Sequence, residues 1–275
     1  MVRVVSLNAW GGQCWDALAD WVPEVRADVL CLQEVIRAPV PSPAWLTYRD
    51  PYRTLDQRAD LFGDVATLLP DHQSRFAAAA RGVLQDEAGQ AYLSEHGLAV
   101  WVAPELAVVG AWQGFVHGSF RHDGWGEEPV PRAAQVLRLA TPDGQPFVVA
   151  HLHGLRDPAG KGDTPARRLQ WQATVRALDQ VAEPGDPIIL GGDFNVLPDS
   201  EAFALFADIG LRDLISAHGV TDTRTSLYRK PQRYADYMLV NAAVQVIDFQ
   251  VPALPEVSDH RPLILEFEPA ATPTI

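Results

Sequence analysis

Ile188-Ile189-Leu190-Gly191-Gly192-Asp193-Phe194-Asn195 decides how this chain is read. A short run of branched apolar residues stopped by glycine reads as a buried strand, and the chain leaves it through a carboxylate and an amide two positions apart. Side chains alternate along a strand with a period of two, so Asp193 and Asn195 fall on one side of it. A carboxylate that takes the proton of water and an amide that holds the attacked group then stand together, although an Asp-Asn turn is written with the same letters.

The same pattern repeats in both directions along the chain. Val2 to Leu7, Val29 to Leu32, Leu98 to Val102, Ala133 to Leu139, Pro146 to Ala150, Pro187 to Leu190, Tyr237 to Val240, Val244 to Val251 and Pro262 to Phe267 read as strands bounded by turn formers. Pro142-Asp143-Gly144 joins two of them as an antiparallel pair. Trp15 to Val25, Thr164 to Val181 and Ser200 to Ala207 read as helices. In the second, Pro165 stands where helices begin, and Leu169, Ala173, Leu178 and Val181 supply the apolar stripe. Strands outnumber helices and do not alternate with them regularly, which predicts two sheets packed face to face with helices outside rather than one doubly wound parallel sheet. No repeat or Gly/Ser-rich linker divides the chain, so 1–268 read as a single domain and 269–275 as a C-terminal tail.

At 275 residues and 47% hydrophobic, the chain is long enough to bury a large core. No stretch has the makeup of a signal peptide or the length of a membrane span. Cys14 and Cys31 alone make neither a disulfide framework nor a zinc cluster, so a cytoplasmic location is expected. The formal net charge of −13 offers a polyanion such as DNA no long-range attraction. Phosphate is still accessible to an acidic chain if a divalent cation sits among its carboxylates and inverts the local field. No partner protein is implied.

Phosphoester hydrolysis needs a cation to offset charge on a non-bridging oxygen, an acceptor for water, and donors around phosphorus. Besides Asp193 and Asn195, three strand ends carry such groups. Asn8 in Leu7-Asn8-Ala9-Trp10-Gly11-Gly12 is a candidate for metal or phosphate, or else a turn cap. Glu34 in Cys31-Leu32-Gln33-Glu34 emerges from an apolar strand and has to be solvated, paired or metal-bound. His260 in Ser258-Asp259-His260-Arg261-Pro262 is a candidate donor to phosphate, with Asp236 as a carboxylate that fixes its tautomer. His151 and His153 share one side of another strand end, and His151 is assigned phosphate or leaving-group contact. Arg167, Arg168 and Gln170 read mostly as a solvated helix face.

Asn8, Gln33-Glu34, His151, Gly192-Asp193-Phe194-Asn195, Asp236 and Ser258-Asp259-His260, in that order, resemble the motif series of the endonuclease/exonuclease/phosphatase superfamily, the DNase I-like fold. The resemblance implies a four-layer α/β sandwich, with two mostly antiparallel β-sheets packed face to face and helices on both outer faces, and dependence on Mg2+ or Mn2+. Carried over position by position, it makes Glu34 the main metal ligand, with Asn8 beside it and Asp259 contributing to the metal shell or its hydrogen bonds. Asp193 orients or activates water, Asn195 and His260 contact phosphate, Asp236 supports His260, and His151 assists phosphate or leaving group. The expected activity is that of a phosphodiester hydrolase acting through an activated water on a small or lipid-linked phosphoester. The alternative is a DNA or RNA endonuclease or exonuclease of the same family, as in repair, for which Trp112, Phe115, Arg121, Trp125 and Arg132 are the candidate stacking and charge contacts.

Overall fold

A computed structural model describes residues 1–39, 41–49, 54–124 and 130–269. In chain order its strands are β1 Val2–Asn8, β2 Val29–Arg37, β3 Trp45–Arg49, β4 Thr54–Arg58, β5 Gln73–Gln85, β6 Ala91–Val102, β7 Ala107–His117, β8 Arg132–Ala140, β9 Pro146–His153, β10 Ile188–Asp193, β11 Arg212–Asp213, β12 Asp236–Val240, β13 Val244–Gln250 and β14 Leu263–Pro269. The helices are α1 Trp15–Glu24, α2 Leu61–Leu68, α3 Pro165–Asp179, α4 Ala202–Ala207 and α5 Leu214–Ala217.

One sheet has eight strands in the order β13-β14-β1-β2-β6-β5-β3-β4, and the other has six in the order β11-β12-β10-β9-β8-β7. Each contains a single parallel pair, β1 with β2 and β9 with β10, and every other pairing among the described strands is antiparallel. Helical connections suit parallel neighbours: α1 joins β1 to β2 and α3 joins β9 to β10.

The sandwich follows from strand parity. On β1, Val2 and Val4 belong to the central core between the sheets, while Val5 and Leu7 pack with Leu18, Trp21 and Val22 of α1 on the outer face. On β2, Val29 and Cys31 point inward and Leu30 and Leu32 outward. Each fully buried Val or Leu contributes about 1.5–3 kcal/mol, and both faces of these strands are filled. On the far side of the six-stranded sheet, Trp171 of α3 meets Phe194 and Phe206, with ring centroids 5.4 and 5.9 Å away. Four layers result.

Of the apolar stripe read for α3, Leu178 is buried and Ala173 and Val181 pack against the core, but Leu169 does not. Leu169 is 61% exposed, and the buried face is Gln170, Trp171, Thr174, Ala177 and Leu178. Trp171 buries far more area than Leu169 does, and its contacts set the helix rotation. Strands β3, β4, β5 and β7 and helix α2 also lie where the sequence carries little strand or helix signal. At the other end, Pro269 closes β14 opposite Val244, so the tail begins one residue later, and 270–275 lie outside the described residues.

Candidate active site

The sheets meet at the C-terminal ends of both parallel pairs, and the inward face of each strand turns polar there. Asn8 lies beside Gln33, and His153 lies beside Asp193, which in turn faces Asp236. Asp259 and His260 arrive on the segment that enters β14. Residues from both sheets are thus joined: the Asn8 amide nitrogen donates to Glu34 Oε1 and to Asp193 Oδ2, each at 3.1 Å. Ser258 pins the arrangement by donating to the Asn8 carbonyl at 2.6 Å.

Glu34 does not follow the end of a strand; β2 continues to Arg37 and bulges at Glu34, between the pairs Gln33↔Leu98 and Val35↔Gly97. Its φ of 56° is rare for a residue with a Cβ, and the bulge turns the carboxylate out of the pleat. The side chain remains 31% exposed. Burial works against its charge, but His153, His96, His260 and the Asn8 N–H outweigh that and hold the carboxyl below the usual range.

Asp193 is 2% exposed. Its Oδ1 accepts from the Asn195 backbone N–H at 2.9 Å, which leaves Oδ2 turned toward Asn8, His153 Nε2 at 3.6 Å and His260 Nε2 at 3.7 Å. Burial opposes ionisation here too, yet His260 first, then His153, Arg224 and Lys161, keep this carboxyl well below the ordinary carboxylate range. Gly192 before it has φ 139°, and a Cβ there would come within 2.1 Å of the Leu152 carbonyl, so only glycine lets β10 approach β9 this closely. Asn195 adopts φ 56°, a conformation asparagine tolerates, and its amide nitrogen donates to the Gly154 carbonyl at 3.3 Å.

His260 Nδ1 lies 2.8 and 2.9 Å from the two Asp236 oxygens. Burial by itself depresses this imidazole, but Asp236 outweighs it and the net shift is upward. His260 Nε2 meets Arg224 Nη1, which also donates to Asp259 Oδ2 at 3.1 Å. With Nδ1 turned to Asp236, the Nε2 of His260 is left facing the Arg224 guanidinium. Asp259 Oδ1 is buried without a hydrogen-bond partner, and burial raises this carboxyl, with the Glu34 and Asp236 charges adding to the rise. An orphaned carboxylate oxygen next to a second carboxylate is the donor set a hard divalent cation takes. Asp193, Asp236 and His260 also bring ligand atoms within 4.8 Å of one another, but Asp236 and His260 already satisfy each other. Glu34 and Asp259 are the better fit, with Asn8 between Glu34 and Asp193 presenting its nitrogen rather than its oxygen.

His151 is placed elsewhere. It lies one strand period deeper than His153, with Nε2 2.7 Å from Gln135 Oε1 and Nδ1 3.4 Å from Gln33 Nε2. Gln33 also donates to Ser6, so a polar layer underlies the site and His151 is part of its floor. His153, one strand period on, is the imidazole level with Asp193, because β9 runs on through it. Burial lowers His151 to about 3 from 6.5. The unfolded chain therefore takes up the proton more readily, so the stability held by neutral His151 is present above pH 6.5 and is lost as pH falls toward 3. His151→Gln keeps both hydrogen bonds without titrating. Urea midpoints are expected to show that this variant escapes about 2 kcal/mol of the acid loss between pH 6.5 and about pH 5; equal loss in both proteins would contradict a buried neutral imidazole.

Arg224, Arg167 and Lys161 are site residues that the sequence reading did not assign. Arg167 is 1% exposed rather than part of a solvated face, and its guanidinium donates to the carbonyls of Leu155, Gly160, Gly162 and Asn195, tying the loop before α3 to the site. Gln170 is buried as well and accepts from the Leu155 N–H, while Arg168 is exposed and pairs with Glu201. Arg167→Leu strands four carbonyls and is expected to cost about 3–5 kcal/mol in chemical denaturation. A loss below about 1 kcal/mol would show the loop to be held by other means.

Of the nucleic-acid candidates, two are taken up by the protein itself. Trp112 packs on the core and Arg132 is buried beside His153 Nδ1 at 3.4 Å, while Trp125 lies outside the described residues. A groove of about 960 Å³ beside Gln13 is lined by Asp56, Asp86 and Glu87 against Arg49.

The sequence pattern of the Endonuclease/Exonuclease/phosphatase family matches residues 5–260. Among solved structures, the fold is similar to the mannosyl-6-phosphatase Bt3783 of Bacteroides thetaiotaomicron VPI-5482, with a TM-score of 0.69 and 16% identity over 98% of this chain and 100% of that one. It is also similar to the human Nocturnin catalytic domain with bound sulfate, with a TM-score of 0.57 and 18% identity over 97% of this chain and 93% of that one. At these identities the likeness carries the fold. A curated relative, the UPF0294 protein of Klebsiella pneumoniae (strain 342), is 27% identical over 145 residues, 52% of this chain and 51% of that protein. The chain thus spans about half the length of the curated relative it matches.

Proposed function

The chain belongs to the endonuclease/exonuclease/phosphatase family, and from that premise we propose that it is a divalent-metal-dependent phosphoric ester hydrolase acting on a small or lipid-linked phosphoester. The observation that supports this most is the meeting of Glu34, Asp193, Asp236, Asp259 and His260 from both sheets at one opening. Glu34 and Asp259 would hold Mg2+ or Mn2+, which when bound offsets charge on a non-bridging phosphate oxygen.

The protein's own groups supply the rest. Asp193, kept ionised and with Oδ1 already fixed by the Asn195 N–H, uses Oδ2 to orient the attacking water and accept its hydrogen bond. His260, held by Asp236 in the tautomer that carries hydrogen on Nδ1 and favoured in its charged form, offers Nε2–H to phosphate. Arg224 presents a second donor at the same point, and His153 stands beside Asp193. His151 supports this layer from below and does not touch the reacting group.

The net charge of −13 argues for a small or lipid-linked substrate over a DNA or RNA backbone. No described helix is long and apolar enough to cross a membrane. The test is a panel with Mg2+ or Mn2+ that spans p-nitrophenyl phosphate, bis-p-nitrophenyl phosphate, sugar phosphates, sphingomyelin, RNA and plasmid DNA. Turnover of the small or lipid esters above the nucleic acids is expected; cleavage confined to DNA or RNA would move the assignment to a nuclease.

A further inference from the structure

Lys161 is one of two lysines in a chain whose other basic side chains are arginines. It stands on the loop between β9 and α3 and donates to the Tyr234 carbonyl, two residues before Asp236. Its Nζ lies 6.0 Å from the centroid of the Tyr228 ring, over which Arg224 also stacks at 4.2 Å. Tyr228 therefore gathers two cations beside the pair formed by Asp236 and His260. Among the described residues Lys161 has no ion-pair partner, and only one of its three N–H donors is committed. Burial lowers its pKa to about 8, with Asp193 and Asp236 pulling it back up and Arg224 and Lys230 pressing it further down. A lysine kept half-buried beside an arginine costs the fold something that a methionine there would not. The segment from Arg224 to Arg233 adds Arg229 and Lys230, both exposed, and carries no acidic residue.

A count of oxygens says what this charge suits. A phosphodiester has two non-bridging oxygens and one negative charge, whereas a phosphomonoester has three such oxygens and about −1.5 to −2 charges at neutral pH. The Glu34 and Asp259 side and the meeting point of His260 Nε2 with Arg224 Nη1 serve two oxygens between them. We propose that Lys161 is the specificity-determining residue of this site: it binds the third non-bridging oxygen of a terminal phosphomonoester, so that the protein prefers monoesters to diesters. This rests on the hydrolase reading above and adds the class of ester.

The experiment compares kcat/KM for p-nitrophenyl phosphate and bis-p-nitrophenyl phosphate, which share a leaving group, in wild type, Lys161→Met and Lys161→Arg. Wild type is expected to favour the monoester. Lys161→Met should cut the monoester-to-diester ratio about tenfold to a hundredfold, mainly through KM, and weaken competition by inorganic phosphate in step. Lys161→Arg should restore most of the ratio, since the charge returns, which also separates this role from a structural one. A wild-type preference for the diester, or equal losses on both esters in Lys161→Met, would overturn the inference and leave the hydrolase reading standing. Absence of turnover of either ester by wild type with Mg2+ or Mn2+ would bring down both.

Discussion

Asp193→Asn is expected to lower turnover by about three orders of magnitude or more while leaving the far-ultraviolet spectrum and the cooperative melt of the folded protein in place. Asparagine fills the same volume, and its Oδ1 still accepts the Asn195 N–H. At the other position an amide nitrogen replaces Oδ2, so a donor faces the Asn8 amide nitrogen and a bound water loses its acceptor. The charge that offsets His260, Arg224 and Lys161 is lost at the same time. Turnover within about tenfold of wild type would remove Asp193 from the chemistry.

Glu34→Gln should have the second largest effect, and it acts on the cation rather than on water. The glutamine fits the same bulge with the same length of side chain, but a divalent ion at Glu34 and Asp259 then meets one carboxylate instead of two. Affinity for Mn2+ in isothermal titration is expected to fall about 100-fold, with turnover falling in parallel at subsaturating metal. Unchanged Mn2+ affinity would move the ion site toward Asp193, Asp236 and His260, whose ligand atoms lie within 4.8 Å of one another.

How much of this was legible in the sequence depends on what each residue's position rests upon. Asp193 and Asn195 follow an apolar run stopped by glycine, and local chemistry alone places them where a strand emerges. The pairing of Asp236 with His260 could be anticipated from charge and imidazole chemistry. The choice between His151 and His153 could not. Alternation puts both on one side, and which of them stands level with Asp193 depends on how far β9 continues against β10, a property of pairing between distant segments. Glu34 could be named but its bulge could not, because nothing local marks a glutamate for positive φ.

The elements that went unread share a different cause. Strand β5 contains Ala77 to Ala80, small residues with low strand preference that are accepted because β6 and the opposing sheet press closely on them. Strand β7 lies at a sheet edge and exposes Ala107, Val109, Ala111 and Gln113 in alternation with Val108, Gly110, Trp112 and Gly114, too few of them large to announce a face. Arg167 looked like a surface arginine, since its four carbonyl acceptors come from two separate loops. Arg224 stands in a loop without apolar framing, and only the fold brings it to His260 and Asp259.

Stripping the protein of metal with a chelator and assaying p-nitrophenyl phosphate and bis-p-nitrophenyl phosphate before and after Mg2+ or Mn2+ is returned tests the account most directly. The expected result is no turnover by the stripped protein, recovery in step with added ion, and no recovery in Asp193→Asn although that variant still binds the ion. Turnover that persists at the same rate in excess chelator would contradict it.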